Sequence, residues 1–75
     1  MTKLPRGLSG GEVVKALRKA GFYAKRQKGS HIVMRRDNPF AQAVVPNHKS
    51  IDTGTLSNIL DGAGLSSEDF IKLLK

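Results

Sequence analysis

Two histidines are the side chains of this 75-residue sequence best matched to proton transfer near neutral pH. His31 follows the predicted turn Gly29-Ser30, which itself follows the basic run Lys25-Arg26-Gln27-Lys28. This neighbourhood suits a phosphodiester, because cations can hold the phosphate while the imidazole takes a proton from a ribose 2′-hydroxyl. Gly29 permits close backbone approach, and its amide or that of Ser30 can donate to a phosphate oxygen. The alternative is an exposed strand histidine with no chemical task.

The second histidine, His48, lies in Pro46-Asn47-His48-Lys49, just after the third predicted strand. It could act as a second acid–base group, contact a phosphate or simply contribute loop polarity. Two histidines without a nearby thiol or carboxylate make no metal site, and Asp52 alone adds too little for zinc. Cysteine is absent, which excludes a disulfide framework and a cysteine nucleophile. We therefore expect neither a metal nor another cofactor.

Charge is unevenly distributed along the sequence. The 13 Lys and Arg residues outnumber the 6 Asp and Glu residues, which gives a net charge of +7. Residues 1–36 carry +9, whereas residues 37–75 carry −2. A basic half on a folded domain indicates a polyanionic partner, most often nucleic acid, although a charge that only aids solubility is the alternative. We assign phosphate binding to Lys25, Arg26, Lys28 and Arg35.

The first element that must position these residues is a helix predicted over 10–20. Ser9 and Glu12 have the spacing of a capping box, and Leu8 and Val13 that of a hydrophobic staple. Gly21 is predicted to end the helix. Residues 1–8 lack periodicity, so we expect a flexible lead-in followed by one domain over 9–75.

Three short strands are predicted next, over 22–28, 31–36 and 40–45. The connections Gly29-Ser30 and Asp37-Asn38-Pro39 are short and rich in turn-forming residues, so the strands should form an antiparallel three-stranded meander. In the middle strand, alternation places Ile32 and Met34 on one face and His31, Val33 and Arg35 on the other. We expect the face with His31 to be exposed.

Two further helices complete the predicted order α-β-β-β-α-α. Asp52 or Thr53 caps the first, and Ser66 or Ser67 begins the second. The buried stripes are predicted to be Leu56, Ile59, Leu60 and Ala63, and then Phe70, Ile71, Leu73 and Leu74. Helices packed on one face would leave the other sheet face open and basic.

Aromatic residues are too scarce for a sheet that reads single-stranded RNA through rows of aromatic rings. Phe22 and Phe70 are predicted to be core residues, which leaves Tyr23 and Phe40 as possible base platforms. The composition instead favours recognition of duplex or structured RNA through shape and backbone.

The sequence resembles the HicA (YcfA-like) family of mRNA interferase toxins from about Ser9 to Leu74. The resemblance rests on Ala20-Gly21-Phe22, Gln27-Lys28-Gly29-Ser30-His31, Val45-Pro46-Asn47-His48, Gly54-Thr55-Leu56 and Ala63-Gly64-Leu65. It implies an α+β, double-stranded-RNA-binding-domain-like fold, α-β-β-β-α with a short extra C-terminal helix here. It also implies metal-independent cleavage of mRNA with His31 as the catalytic residue and Gly29-Ser30 as its supporting turn.

The resemblance further implies a HicB-type antitoxin that covers the active site. We expect a cytoplasmic protein with no membrane segment, monomeric alone and hetero-oligomeric with its antitoxin. A second proton-transfer group is required, and His48, Lys28, Tyr23 and water remain open. The competing hypotheses are a non-catalytic module of the same fold that binds RNA or DNA, and a basic surface that docks an acidic protein.

Overall fold

A computed structural model describes residues 3–75 of the chain. The elements follow the order α-β-β-β-α-α: α1 Gly10–Lys19, β1 Tyr23–Lys28, β2 His31–Asp37, β3 Phe40–Pro46, α2 Thr53–Ala63 and α3 Ser67–Leu73. The strands form one antiparallel sheet in the order β1-β2-β3. The predicted element order and the meander are therefore confirmed, and the element ends agree to within one residue.

Helix α1 begins at the predicted capping box. The Ser9 hydroxyl accepts a hydrogen bond from the Glu12 amide, and the Glu12 carboxylate accepts one from the Ser9 amide, each at 3.1 Å. These bonds satisfy amides that the first turn leaves without helical partners. The helix ends at Lys19, with Ala20 as its C-cap, and Gly21 then adopts a φ of 92°.

The core lies between the helices and one face of the sheet. Met34 in the central strand is fully buried, which confirms the predicted division of β2 into a covered and an exposed face. Beside it, β3 contributes Ala41, Ala43 and Val45 to the core. The three helices supply most of the remaining core residues: Val13, Ala16, Leu17, Leu56, Ile59, Leu60, Ala63 and Phe70.

Asp52 and Ser66 are the N-caps of helices α2 and α3, and each is the first member of its predicted pair. Hydrogen bonds from the backbone and side chain of Thr55 to the Asp52 carboxylate hold the pKa of Asp52 below its usual value. The buried stripe of α2 is confirmed in full. The stripe of α3 is narrower than predicted, because only Phe70 is buried while Ile71, Leu73 and Leu74 are partly exposed.

The lead-in contributes to the packing through Leu4 and Leu8, which lie partly buried against the core. Leu8 also forms an isolated antiparallel bridge with Ile51, whose amide donates to the Leu8 carbonyl at 2.7 Å. Met1 and Thr2 of the predicted lead-in lie outside the described residues. Within residues 3–75, the helices are too short or too polar to cross a membrane.

Gly10 holds the loop after β3 against the start of α1. Its amide donates to the His48 carbonyl at 2.8 Å. A Cβ atom at Gly10 would lie 2.9 Å from the Asn47 Cα and closer still to the Pro46 carbonyl oxygen. Gly10 is therefore required by a close backbone approach, a reason that the capping box alone does not supply.

We predict opposite effects of adding a methyl group at the two adjacent helical glycines. Gly10→Ala should lower the free energy of unfolding by about 1–3 kcal/mol, because the backbone of Pro46 and Asn47 must move away. Gly11→Ala should be neutral or stabilising by up to about 1 kcal/mol, since its nearest neighbour is the Ser9 hydroxyl at 3.8 Å. Chemical denaturation of both variants checks this, and equal stability of the two would contradict the close approach.

Candidate active site

The sheet face opposite the helices carries the candidate site, and we call it the open face. It is formed by alternate residues of the three strands, namely Tyr23, Arg26, Lys28, His31, Val33, Arg35, Asp37, Phe40, Gln42, Val44 and Pro46. Asp37 is the sole acidic residue of the three strands. The open face is therefore basic, as the sequence predicted, and it also exposes apolar side chains.

His31 is the first residue of β2 and lies at one end of the open face. Lys28 is its partner in β1, and Pro46 is its partner in β3. The His31 side chain is exposed and forms no hydrogen bond with another residue of the described chain. The imidazole is thus available to a ligand, with the ammonium-bearing side chain of Lys28 directly across the strand pair.

The Gly29-Ser30 turn fixes this pairing. Gly29 has a φ of 58°, a left-handed conformation that favours glycine, and the turn joins Lys28 directly to His31 across the hairpin. Both turn residues are exposed. The Ser30 carbonyl accepts a hydrogen bond from the Asn47 amide at 2.6 Å, which ties the turn to the loop after β3.

His48 lies in that same loop, one residue beyond Asn47. Its carbonyl is fixed by the Gly10 amide, and its side chain is exposed without a hydrogen-bond partner among residues 3–75. The backbone therefore brings both histidines to the same end of the sheet. The antiparallel pairing of His31 with Pro46 produces this arrangement, and the hydrogen bond from the Gly10 amide then fixes the backbone at His48.

The basic residues of β1 are exposed beside this end. Arg26 pairs with Val33, so its position belongs to the open face. Lys25 is the extra residue of a β-bulge, since Ala24 pairs with Met34 and Arg26 with Val33. The bulge displaces the pairing of the preceding residues by one position, which places Tyr23 opposite Arg35 rather than opposite Arg36.

Arg35 is the one predicted phosphate-binding residue that already has partners. Its Nε donates to the Asp37 carboxylate at 2.8 Å, and its guanidinium carbon lies 5.1 Å from the centre of the Phe40 ring. The Tyr23 hydroxyl donates to the other Asp37 oxygen at 2.9 Å. The sequence did not predict this cluster, because no residue type in β1 indicates the bulge that brings Tyr23 to this face.

Tyr23 is poorly placed to assist His31. Its partner Arg35 lies four residues from His31 along β2, which is about 13 Å at the rise of a strand. The hydrogen bond to Asp37 also raises the pKa of the Tyr23 hydroxyl above its ordinary value. Among the candidates for the second proton-transfer group, His48 and Lys28 lie at the same end of the sheet as His31.

The order of the elements and the topology of the sheet identify the fold class. An α-β-β-β-α order around a three-stranded antiparallel sheet, with an extra C-terminal helix, is the double-stranded-RNA-binding-domain-like fold that the resemblance implied. Residues 10–65 match the family described as "HicA toxin of bacterial toxin-antitoxin". The match covers well over half of the chain, which belongs to this family of toxins from toxin–antitoxin systems. The comparison with curated proteins finds no match.

We predict that Asp37→Ala lowers the pKa of Tyr23 towards its ordinary value. The carboxylate raises this pKa mainly by accepting the hydroxyl's hydrogen bond. The interaction therefore stabilises the fold at pH values below the ordinary pKa of tyrosine. That stabilisation is lost as the pH rises through the pKa of the folded state. Tyr23 is the sole tyrosine, so tyrosinate absorbance reports it directly. Asp61→Ala in α2 is the control and should leave the titration unchanged.

Proposed function

We propose that this toxin is a metal-independent endoribonuclease that cleaves mRNA, with His31 as its general acid–base residue. The observation that carries the proposal is the exposed imidazole of His31 directly opposite Lys28 on the open face. Membership of the HicA family supports the same conclusion.

The proposed reaction is an internal transesterification of RNA. His31 takes the proton from a ribose 2′-hydroxyl, and the 2′-oxygen attacks the adjacent phosphorus. The bond between phosphorus and the 5′-oxygen of the next nucleotide breaks, and that oxygen leaves after receiving a proton. The products are a 2′,3′-cyclic phosphate and a free 5′-hydroxyl, so atoms and charge balance without an added reactant.

The proton for the leaving oxygen must come from a second group or from His31 acting as a relay. His48 is our first candidate, because its loop is tied to Ser30 and to the start of α1. Lys28 is the second candidate, since it lies directly across from His31. An ammonium group there also compensates the charge that develops on the phosphoryl oxygens.

RNA would be held by the open face together with Lys25, the exposed bulge residue beside it. We assign phosphate contacts to Lys25, Arg26, Lys28 and Arg35, and close backbone approach to the exposed Gly29-Ser30 turn. Positive side chains on this face attract a polyanion and release its counterions on binding. A cytoplasmic location, where mRNA is accessible, accords with this assignment.

The partner that neutralises the toxin is, in this proposal, a HicB-type antitoxin that covers the open face. The face combines the side chains of Arg26, Lys28 and Arg35 with exposed apolar side chains, which suits an acidic protein that also buries apolar surface. We propose that the toxin is monomeric alone and hetero-oligomeric with the antitoxin.

Replacing His31 should abolish cleavage without abolishing RNA binding. We predict that His31→Gln lowers the cleavage rate by about 10²–10⁴-fold, because glutamine cannot transfer the proton. The loss of RNA affinity should be no larger than the loss of one contact would cause, because the basic residues remain. The measurement is gel analysis of a transcript with a chelator present, together with analysis of the cyclic phosphate end.

A substrate with 2′-deoxyribose at the cut position is the matched chemical control, because it binds but lacks the nucleophile. Expression of wild type and His31→Gln in cells, with growth and mRNA integrity as readouts, tests the same proposal. Growth arrest from both proteins would contradict the catalytic role of His31. It would favour the alternative function, an RNA-binding module that sequesters transcripts through the same basic face.

Phosphate contacts predict a defined salt dependence. Arg26→Gln and Lys28→Gln should each reduce the slope of log affinity against log salt by about 0.7 for single-stranded RNA. Lys72→Gln in α3 removes the same charge away from the open face and should leave the slope unchanged. Fluorescence anisotropy over a salt series measures this. A uniform effect of all three variants would indicate net charge alone.

A further inference from the structure

Four side chains are joined at the end of the open face that lies away from His31. The Asp37 carboxylate accepts one hydrogen bond from Tyr23 and one from Arg35, and the Arg35 guanidinium lies over the Phe40 ring. We call Tyr23, Arg35, Asp37 and Phe40 the aromatic cluster. The chemistry proposed for His31 uses neither aromatic ring.

The two rings of the aromatic cluster are exposed, although their size would favour burial. Phe40 is 64% exposed and Tyr23 is 41% exposed. They belong to the outer strands β3 and β1, on either side of Arg35 and Asp37 in β2. Arg35 is held in place by both Asp37 and Phe40, so a planar cation and an open ring are oriented together before any ligand arrives.

We propose that the aromatic cluster is a base-stacking subsite for single-stranded RNA, in which a base stacks on the face of the Phe40 ring that Arg35 does not cover. The inference rests on the proposed function, because it places this base on the same strand as the phosphate bound at His31. It adds a contact to bases, whereas the remaining open-face residues contact the backbone. Stacking is open to every base, since each has a π-face.

The distances fit a single strand that runs along β2. Phe40 pairs with Asp37, which lies six residues from His31, about 20 Å away at the rise of a strand. Arg26 and Val33 form a pair between these two ends, which places a cation beside the path of the RNA backbone. A strand held at its phosphates by Lys28 and Arg26 would therefore present a base to Phe40 a few nucleotides from the cut.

Charge favours an anionic strand at this position. The carboxylate of Asp37 has both oxygens occupied by donors, one of them the cationic Arg35, so its repulsion of phosphate is offset. Exposed rings interleaved with cations are typical of surfaces that bind single-stranded nucleic acid. An acidic protein would also be attracted by the cations, and the experiment must separate it from RNA.

The experiment measures the affinity of single-stranded and duplex RNA oligonucleotides of one sequence by fluorescence anisotropy. His31→Gln serves as the background, so that cleavage does not interfere. Adding Phe40→Leu keeps an apolar side chain but removes the ring, and should weaken single-strand binding by about 5- to 150-fold. Phe40→Tyr should retain the affinity of the His31→Gln parent, and Val44→Ala is the control for loss of exposed apolar surface on β3.

Duplex binding should change little with Phe40→Leu, because paired bases offer no free face. Thermal unfolding verifies that Phe40→Leu is folded, and Phe40→Tyr provides a second test of the ring. Equal single-strand affinity of Phe40→Leu and the parent would overturn the proposal. So would a loss confined to binding of the antitoxin, which would assign the ring to a protein interface.

The subsite and the nuclease activity can fail separately in these experiments. A chain that binds single strands through Phe40 but never cleaves RNA would disprove the nuclease while upholding the subsite. If Phe40→Leu and wild type cleave RNA at the same rate and at the same positions, the nuclease would be upheld and the subsite disproved. Mapping of cut sites in the His31-containing proteins supplies this second readout.

Discussion

Burial of Met34 in the central strand is the constraint on which the rest of the arrangement depends. Side chains alternate along a strand, so fixing Met34 in the core places His31, Val33, Arg35 and Asp37 on the opposite face. A slip of one residue would bury the imidazole and expose the core side chain. The packing that stabilises this small domain therefore also determines which side chains can meet a ligand.

A turn and a β-bulge then determine which residues of β1 pair with which residues of β2. The Gly29-Ser30 turn aligns Lys28 with His31, and this was predictable because glycine marks the left-handed turn residue. The bulge at Lys25 was not predictable, since a lysine in a strand carries no such signal. Its effect is nevertheless large, because it allows Phe22 to enter the core while Tyr23 joins the open face.

The helices were predictable for the same reason as the turn. Caps and apolar stripes are encoded within a few residues, as the capping box at Ser9 and the α2 stripe show. The partial exposure of Ile71 was missed, because a seven-residue helix at the edge of the core has too few neighbours to bury its whole apolar side. The contact between Gly10 and His48 was missed as well, because it is a tertiary hydrogen bond between residues 38 positions apart in the chain.

A domain that covers only one face of its sheet leaves a second face free for partners. In the proposed function, RNA and antitoxin both bind the open face, so each excludes the other by occupancy. No conformational change of the toxin is then required for neutralisation, and the free fraction follows from relative concentrations and affinities. The aromatic cluster strengthens this argument: an antitoxin that buries Phe40 and pairs with the cations around His31 would gain apolar contact and charge compensation from the same residues that hold the RNA.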